Sequence, residues 1–555
     1  MNGIKLIQRL FRRKLERETE QALQSLEAAS ERQREEFSRA LATLSAGFIP
    51  TITFGITEDE QEVKLSLDKL SAHGLVLGAS GAGKSYFALS IIWQMLNAPS
   101  SPLPISIGIL DAKGELFERA TQYLYAHLYR LNPDERAALK NRITLIDFSN
   151  TESITPYNIL ARQQYLADEL MVANRIDTIS EQFSGLSELS VRMKLILKYF
   201  CLLMAEFDLP LSLFERLCTD PLLLNNLVGR SQNHQVRDYF RNRFDDESKS
   251  TLLALRQRID SLLLSEGVRL SLSAAAAPDF AKLQDQGAII LINTAGRNIT
   301  RGISEILQSL ILSDIKQSVF RRVNPAQQFI WFFDEAQNLY KTSVNREHMA
   351  DLVTMARSFA SYFILLTQSL TSAIRDHDIL NSILANVRWL VMLRSTLRDA
   401  ELLTPGITLT GMLAKPRHSP FEPAKHMSES EELKTRLKEI SKLPDRVAYC
   451  WLKAYLGTAV KITTPKVPRP HEAAGCNEQE FAQFMKRELI GQGVSKAEII
   501  KHLAEQDKYL RNPARLQRDD AVVIGGERKG QSKTKQNLAR LLEEEYQKKT
   551  DNDRA

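Results

Sequence analysis

Apolar residues in this chain come in two textures. Short unbroken runs recur at GLVL (74–77), ISIGIL (105–110), ITLI (143–146), AIILI (288–292), FIWFF (329–333), FILL (363–366) and WLVML (389–393), each followed by glycine, polar or charged residues. Runs of this length describe strands covered on both faces. Between several of them the apolar positions fall at helical spacing, and strands alternating with helices predict a parallel sheet whose ligands lie beyond the carboxyl ends of its strands. Ahead of the first run, FIPTITFGI and EVKLSL alternate like half-buried strands around turn residues at 57–61, which predicts a hairpin leading into the strand at 74–77.

Elsewhere the strand pattern stops. From about 161 to 283 the chain is rich in Leu, Met, Ser, Arg and Asp at helical spacing, punctuated by Pro210, Pro221 and Pro278, which predicts a helical domain inserted into the sheet domain. Residues 1–46 are charged and nearly free of Gly and Pro, as in one or two long helices. Beyond Pro465 the apolar runs end: KVPRPHEAAG has the composition of a linker, 478–510 that of a small helical unit, and the chain from Gly525 that of a disordered tail with a helix near 538–546. The segment FMKRELIGQGVSKAEIIKHL (484–503) has a helix, glycine turn, helix pattern, a weak signal for DNA reading. A chain of 555 residues exceeds one hydrophobic core. The expected parts are a charged helical segment 1–46, a first sheet part 47–160, a helical insert 161–285, a second sheet part 286–466 and a C-terminal tail 467–555.

Composition narrows the class only slightly. The chain is 43% hydrophobic and 25% charged with a formal net charge of +6, which permits a nucleic-acid partner without demanding one. Cys201, Cys218, Cys450 and Cys476 are widely spaced and form no C-x-x-C pair, so they read as reduced thiols of a cytoplasmic protein. No run approaches the roughly 18 apolar residues of a membrane span, and the start lacks the apolar core of a signal peptide. Residues 1–14 do form a short basic amphipathic pattern, with Ile4, Ile7, Leu10 and Phe11 among Lys5, Arg9, Arg12, Arg13 and Lys14. Such a segment either packs on the body or a neighbouring subunit, or makes peripheral contact with an anionic membrane, here the inner membrane.

The candidate chemistry sits at strand ends. Gly78, Ala79, Ser80, Gly81, Ala82, Gly83, Lys84 and Ser85 spell GASGAGKS, the P-loop pattern, between an apolar strand and a helix. Its glycines free backbone N–H groups to wrap the phosphates of ATP, Lys84 neutralises the β- and γ-phosphates and Ser85 ligates Mg²⁺. The run FIWFF ends in Asp334 and Glu335, a Walker B arrangement: Asp334 holds the Mg²⁺ and Glu335 orients and deprotonates the attacking water. Gln368 ends the next strand, where an amide contacts γ-phosphate and water. The fold class expected is α/β, a P-loop NTPase with a RecA-like, mostly parallel sheet flanked by helices and interrupted by an all-helical domain. Arg297 and Arg301, in the loop after GAIILINT, are candidate DNA phosphate contacts; ordinary surface charge explains them equally well.

GASGAGKS, LDAKGE, PYNIL, the helical insert, FFDEAQNL, MARSFASYFILLTQS and NVRWLVMLR follow one another as in the HerA/FtsK superfamily of pumping ATPases. Over about 54–467 the chain resembles most the TraG/TraD-like coupling proteins of conjugation and type IV secretion. That resemblance implies a hexameric ring that binds ATP between subunits and passes DNA through its channel. It also implies that Arg357 enters the neighbour's ATP site, with Arg394 the alternative. Coupling proteins usually carry N-terminal transmembrane helices; the charged segment 1–46 stands in that place, which leaves room for a soluble motor working with a relaxase, a nuclease or a secretion-channel protein. Two other readings stay open: a receptor that docks relaxase or effector proteins with ATP as an assembly switch, and a protein-secretion ATPase.

Overall fold

The unbroken apolar runs are strands of one large sheet. In a computed structural model the chain is described at residues 50–98, 106–160, 179, 190–244, 246–274, 276–374, 376–407, 409, 427–453, 455–489 and 493–511. Its strands are β1 (Thr51–Ile56), β2 (Glu62–Ser66), β3 (Gly74–Leu77), β4 (Ser106–Asp111), β5 (Ile143–Asp147), β6 (Ser153–Ile154), β7 (Ile289–Asn293), β8 (Phe329–Phe333), β9 (Ser361–Thr367), β10 (Trp389–Met392), β11 (Val447–Trp451), β12 (Val460–Thr463) and β13 (Val494–Ser495). Among the described residues eleven of them form a sheet in the order β2-β1-β12-β11-β10-β3-β9-β8-β4-β7-β5. From β10 to β5 every neighbouring pair is parallel. The β1–β2 hairpin joins this block through β12 and β11, all antiparallel.

Except at its half-buried edge strand β5, both faces of the parallel block are buried, which is why its strands read as continuous apolar runs. Leu75, Leu77, Trp331 and Phe333 point into the core shared with the helical insert and with the helices Arg301–Phe320 and Ser343–Met355. Val76, Ile330 and Phe332 point to the opposite core, built with the helices Lys84–Leu96 and Glu115–Arg130. Packing is close enough to dictate residue type. A β-carbon on Gly108 would lie 2.2 Å from Cε3 of Trp331, so the indole on β8 lies flat against β4 only because that position has no side chain.

The described part of the insert is helical, from Val191–Glu206 through Phe280–Asp285. Ser190 caps the first of these helices by accepting from the Met193 amide at 3.2 Å. Phe200 packs edge-on against Phe240 and Phe244, and Tyr199 stacks on Tyr239 at 4.0 Å.

The segment with linker composition is a packed strap. Its Val467 amide donates to the Tyr86 hydroxyl at 2.6 Å, Pro468 accepts from the Tyr123 hydroxyl at 2.7 Å, and Pro470–Ala474 is a helix with Ala473 and Ala474 buried. The helix Glu478–Leu489 follows, with Phe484 edge-on to Tyr129 at 5.0 Å and Glu488 bonded to Lys140 at 2.5 Å. β13 then pairs with β6, and Lys496–Arg511 places Ile499 against Ile154, Leu270 and Ala274. The helix, turn, helix pattern is thus split by a strand, and its second helix docks on the insert. Residues 1–46, including the basic segment 1–14, and the tail from 512 onward lie outside the described residues. Among the described residues no helix is long and apolar enough to cross a membrane.

Candidate active site

Sheet order brings the strand ends together. β9 lies between β3 and β8, and β4 follows β8, so their carboxyl ends set Gly78, Gln368, Asp334 and Asp111 side by side. The loop after β3 is tied to both neighbouring strands: the Gly78 amide donates to the Thr367 carbonyl at 3.2 Å and the Ala79 amide to the Arg394 carbonyl at 2.7 Å. Gly81 and Gly83 take the left-handed φ values of +76° and +104°, a conformation that a side chain would strain. Gly83 then opens the thirteen-residue helix Lys84–Leu96. Ser80 is exposed, Ala82 buried and Ser85 half-buried.

Lys84 folds back into the loop. Its ammonium donates to the Gly78 carbonyl at 2.8 Å and to the Ala79 carbonyl at 3.2 Å. Burial holds its pKa below the ordinary lysine value, opposed by Glu335 and Asp334 and reinforced by the Lys113 charge. A cation so placed, with loop amides and a helix N-terminus beside it, fits a polyphosphate.

Asp334 and Glu335 leave β8 in different environments. The Asp334 amide donates to the Leu110 carbonyl at 2.9 Å, and its carboxylate accepts from the Glu335 amide at 3.0 Å. Burial, then the charges of Asp111 and Glu335, push the Asp334 carboxyl up to about 7. Asp111 is itself buried, and burial raises its pKa against hydrogen bonds from the amides of Phe117 and Lys113, at 2.8 Å each. This surplus of negative charge is what a divalent cation relieves. Among the described residues no cluster of three or more metal-ligating side chains occurs.

Glu335 is the most constrained side chain of the group. It adopts a left-handed φ of 52°, uncommon for a residue with a β-carbon, and its side chain is 5% exposed. Gln368 Nε2 donates to both carboxylate oxygens, at 2.9 and 3.0 Å, and Lys113 Nζ and Gln337 Nε2 donate to one oxygen each. Burial alone would raise its pKa. The donors, Lys113 first and then Gln368 with the Lys113 charge and Gln337, outweigh burial and lower it. Gln337 extends the network, since its Oε1 accepts from the Thr367 hydroxyl at 2.7 Å and from the Gln368 amide at 3.3 Å.

Lys84, Asp334, Glu335 and Gln368 therefore converge at one end of the sheet. Lys113 and Gln337 belong with them and were not singled out in the sequence. The only signal for either was its place in a strand-end loop, LDAKGE or FFDEAQNL. Arg357 does not join them. It is exposed in the turn before β9, separated from Gln368 by the seven residues of that strand, about 23 Å of extended chain. Arg394 abuts the P-loop and pairs with Asp445 at 3.0 Å. Arg297 and Arg301 are exposed on the wall of a cleft of about 1150 Å³ at the ends of β4, β5 and β7, and Arg301 pairs with Glu305 at 2.9 Å.

Residues 52–318 match the family model described as helicase HerA, central domain. That match spans just under half of the chain. A search of curated proteins finds no match. Among solved structures this chain is similar to the plasmid coupling protein TrwB in complex with the non-hydrolysable GTP analogue GDPNP, at 16% identity over 77% of this chain and 92% of that one, TM-score 0.46. It is also similar to VirB4 of Thermoanaerobacter pseudethanolicus, at 13% identity over 77% and 99%, TM-score 0.45. A third likeness is to the cytoplasmic domain of the type VII secretion ATPase EccC of Thermomonospora curvata, at 12% identity over 80% and 32%, TM-score 0.31.

Proposed function

We propose that this chain is a HerA-type, Mg²⁺-dependent ATPase that forms a ring, probed first as a hexamer, and moves or delivers DNA. One observation carries the hydrolytic part: a buried carboxylate, Glu335, aimed by Gln337 and Gln368 beside the P-loop lysine. In this reading Lys84 binds the β- and γ-phosphates and offsets charge that builds on them. Glu335 accepts the proton of the attacking water, and Gln368 fixes where carboxylate and water meet. Ser85 and Asp334 would hold Mg²⁺, which adds positive charge against the phosphates when bound.

Arg357 supports the ring. It is exposed and remote from its own Glu335, so in this proposal it serves the site of an adjacent subunit. A trans arginine raises rates by roughly 10³ to 10⁵ in GTPases. The DNA part rests on the HerA-type core and on the ordered motifs of a coupling protein; relaxase, nuclease or secretion-channel partners follow from the same resemblance. The domain division at 47–160, 161–285 and 286–466 is part of the proposal, with the strap joining the tail to both neighbours.

The test is ATP turnover of the full chain with Mg²⁺, with and without single-stranded or duplex DNA, at low and moderate salt. The expected result is stimulation that declines steeply with salt, because phosphate contacts release counterions. Turnover indifferent to DNA would favour the receptor with an ATP assembly switch. DNA that neither binds nor stimulates would favour the protein-secretion ATPase.

A further inference from the structure

We propose that Lys113 is a positioning residue that couples the cleft to Glu335: at rest it holds the carboxylate, and a phosphate oxyanion bound in the cleft beside Arg297 draws it away. The inference rests on the reading of Glu335 as the base of ATP hydrolysis. Its geometric basis is that one lysine belongs to two places. Lys113 Nζ bonds Glu335, whose side chain is 5% exposed, while the lysine side chain is 47% exposed and lines the cleft.

The Lys113 backbone is held by the loop, and its side chain is half-exposed. Its amide donates to Asp111 Oδ1 at 2.8 Å, and the next residue, Gly114, takes φ +85° to start the helix Glu115–Arg130. A four-carbon stem ending in three rotatable donors can therefore exchange one oxyanion for another without moving the strand end. Arg297 stands on the facing loop, whose Ala295 β-carbon would lie 3.7 Å from a β-carbon on Gly114.

Most carboxylates of the cleft are already engaged. Asp147 accepts from the Ser149 hydroxyl at 2.7 Å and the Asn293 amide group at 2.9 Å, Glu305 pairs with Arg301 and Lys341, and Glu115 pairs with Arg119 at 3.2 Å. Glu118 also faces the space. An incoming phosphate thus meets Arg297 and Lys113 as its cationic partners. Once Lys113 turns to it, Glu335 keeps the Gln368 and Gln337 donors that orient it and loses the lysine donor that occupies its Oε1. The cleft wall and the carboxylate also share one turn, because the amide of Asn338, which lines the cleft, donates to the Glu335 carbonyl at 2.9 Å.

The experiment compares wild-type, Lys113→Met, Lys113→Arg and Arg297→Ala full-length proteins. Each is assayed for ATP turnover alone, with single-stranded or duplex oligonucleotide, and with inorganic phosphate; oligonucleotide binding is read by fluorescence anisotropy without nucleotide. Releasing a half-exposed charged hydrogen bond corresponds to about fivefold in rate. Lys113→Met is therefore expected to raise unstimulated turnover about fivefold and to leave less than about twofold further stimulation. Lys113→Arg, which keeps a cation at the position, restores the oligonucleotide stimulation ratio that Lys113→Met loses, and Arg297→Ala weakens oligonucleotide binding and shallows its salt dependence by about one unit of slope.

Stimulation of the wild type by oligonucleotide alone assigns the oxyanion to the nucleic-acid backbone; equal stimulation by inorganic phosphate assigns it to the free ion. Lys113→Met that lowers turnover under all conditions, or leaves the stimulation ratio unchanged, overturns the proposal, as does a wild type that responds to neither ligand. A wild type that hydrolyses no ATP defeats the underlying reading instead, and is told apart by that arm alone.

Discussion

His73 should make the ATPase core sensitive to mild acid. Its ring is 1% exposed; Nδ1 accepts from the Phe363 amide at 3.0 Å, and the ring stacks on Phe363 with centroids 5.8 Å apart. An accepting Nδ1 leaves the ring proton on Nε2, which has no hydrogen-bond partner among the described residues. Charging this imidazole would cost the amide bond and place a cation in the core. Burial first, and the nearby Arg357 charge second, lower its pKa from 6.5 to about 3.

The sign follows from which state binds the proton. Between pH 6.5 and about 3 the unfolded chain is protonated at His73 and the folded chain is not, so stability is full above 6.5 and falls as the pH drops. At about 1.36 kcal/mol per unit, the whole gap is worth roughly 5 kcal/mol, of which about 2 kcal/mol is lost between pH 7.5 and 5.0. His73→Asn removes the titration and keeps an acceptor, Oδ1, near the position of Nδ1. Urea denaturation of both proteins at the two pH values, followed by fluorescence of the buried Trp331 and Trp389, gives the difference; groups common to both cancel. The parent should lose about 2 kcal/mol more than the variant on acidification. Equal losses would refute a buried neutral His73.

Four further outcomes can be checked. Glu335→Gln should bind ATP normally, by a fluorescent-nucleotide titration, and hydrolyse it at least about 100-fold more slowly; near-normal turnover would remove Glu335 as base. Gln337→Leu takes a donor from Glu335 and an acceptor from Thr367 and Gln368, and should lower kcat about 10- to 100-fold with KM for ATP changed less than about twofold. Arg357→Ala subunits mixed with Lys84→Ala subunits should recover part of the turnover that each lacks alone, whereas normal turnover of Arg357→Ala alone would dismiss a role across the interface. Gly108→Ala drives a methyl group into Trp331 and should cost about 1–3 kcal/mol, seen as a lower Tm.

What could be read in the sequence and what could not divide on one physical ground. A strand buried on both faces needs unbroken apolar residues, so β3, β4, β7, β8, β9 and β10 were visible, and the groups at their carboxyl ends came with them; the half-buried edge strand β5 showed through Ile143, Leu145 and Ile146. β11 and β12 were not anticipated. β12 is only half-buried for most of its length and pairs with β1, nearly the whole described chain away, so neither pattern nor proximity betrays it. Gln337 and Lys113 escaped for a related reason: their function lies in where two loops meet, more than two hundred residues apart in the case of Lys113 and Glu335. The strap misled by composition. Its Pro and Gly content has the texture of a linker, yet Pro470 begins a helix and Gly475 ends it in the left-handed conformation.

The strap is attached unequally at its two ends. Toward the ATPase core it is riveted by Phe481, Phe484 and the Lys140–Glu488 pair. At its other end it has the two residue pairs of β13 with β6, the Lys496–Glu266 pair to the insert at 2.6 Å and a four-residue apolar cluster shared by β6 and the insert. Gly493 seats this end so closely that an added β-carbon would lie 2.7 Å from Ser153 Oγ. A short ladder with so little apolar backing opens at lower free energy than the sheet behind it. The joint also forms part of the cleft wall, since Gly493 and Ser153 both line it, and amide exchange at Val494 and Ser495 would run ahead of exchange in β3 and β8.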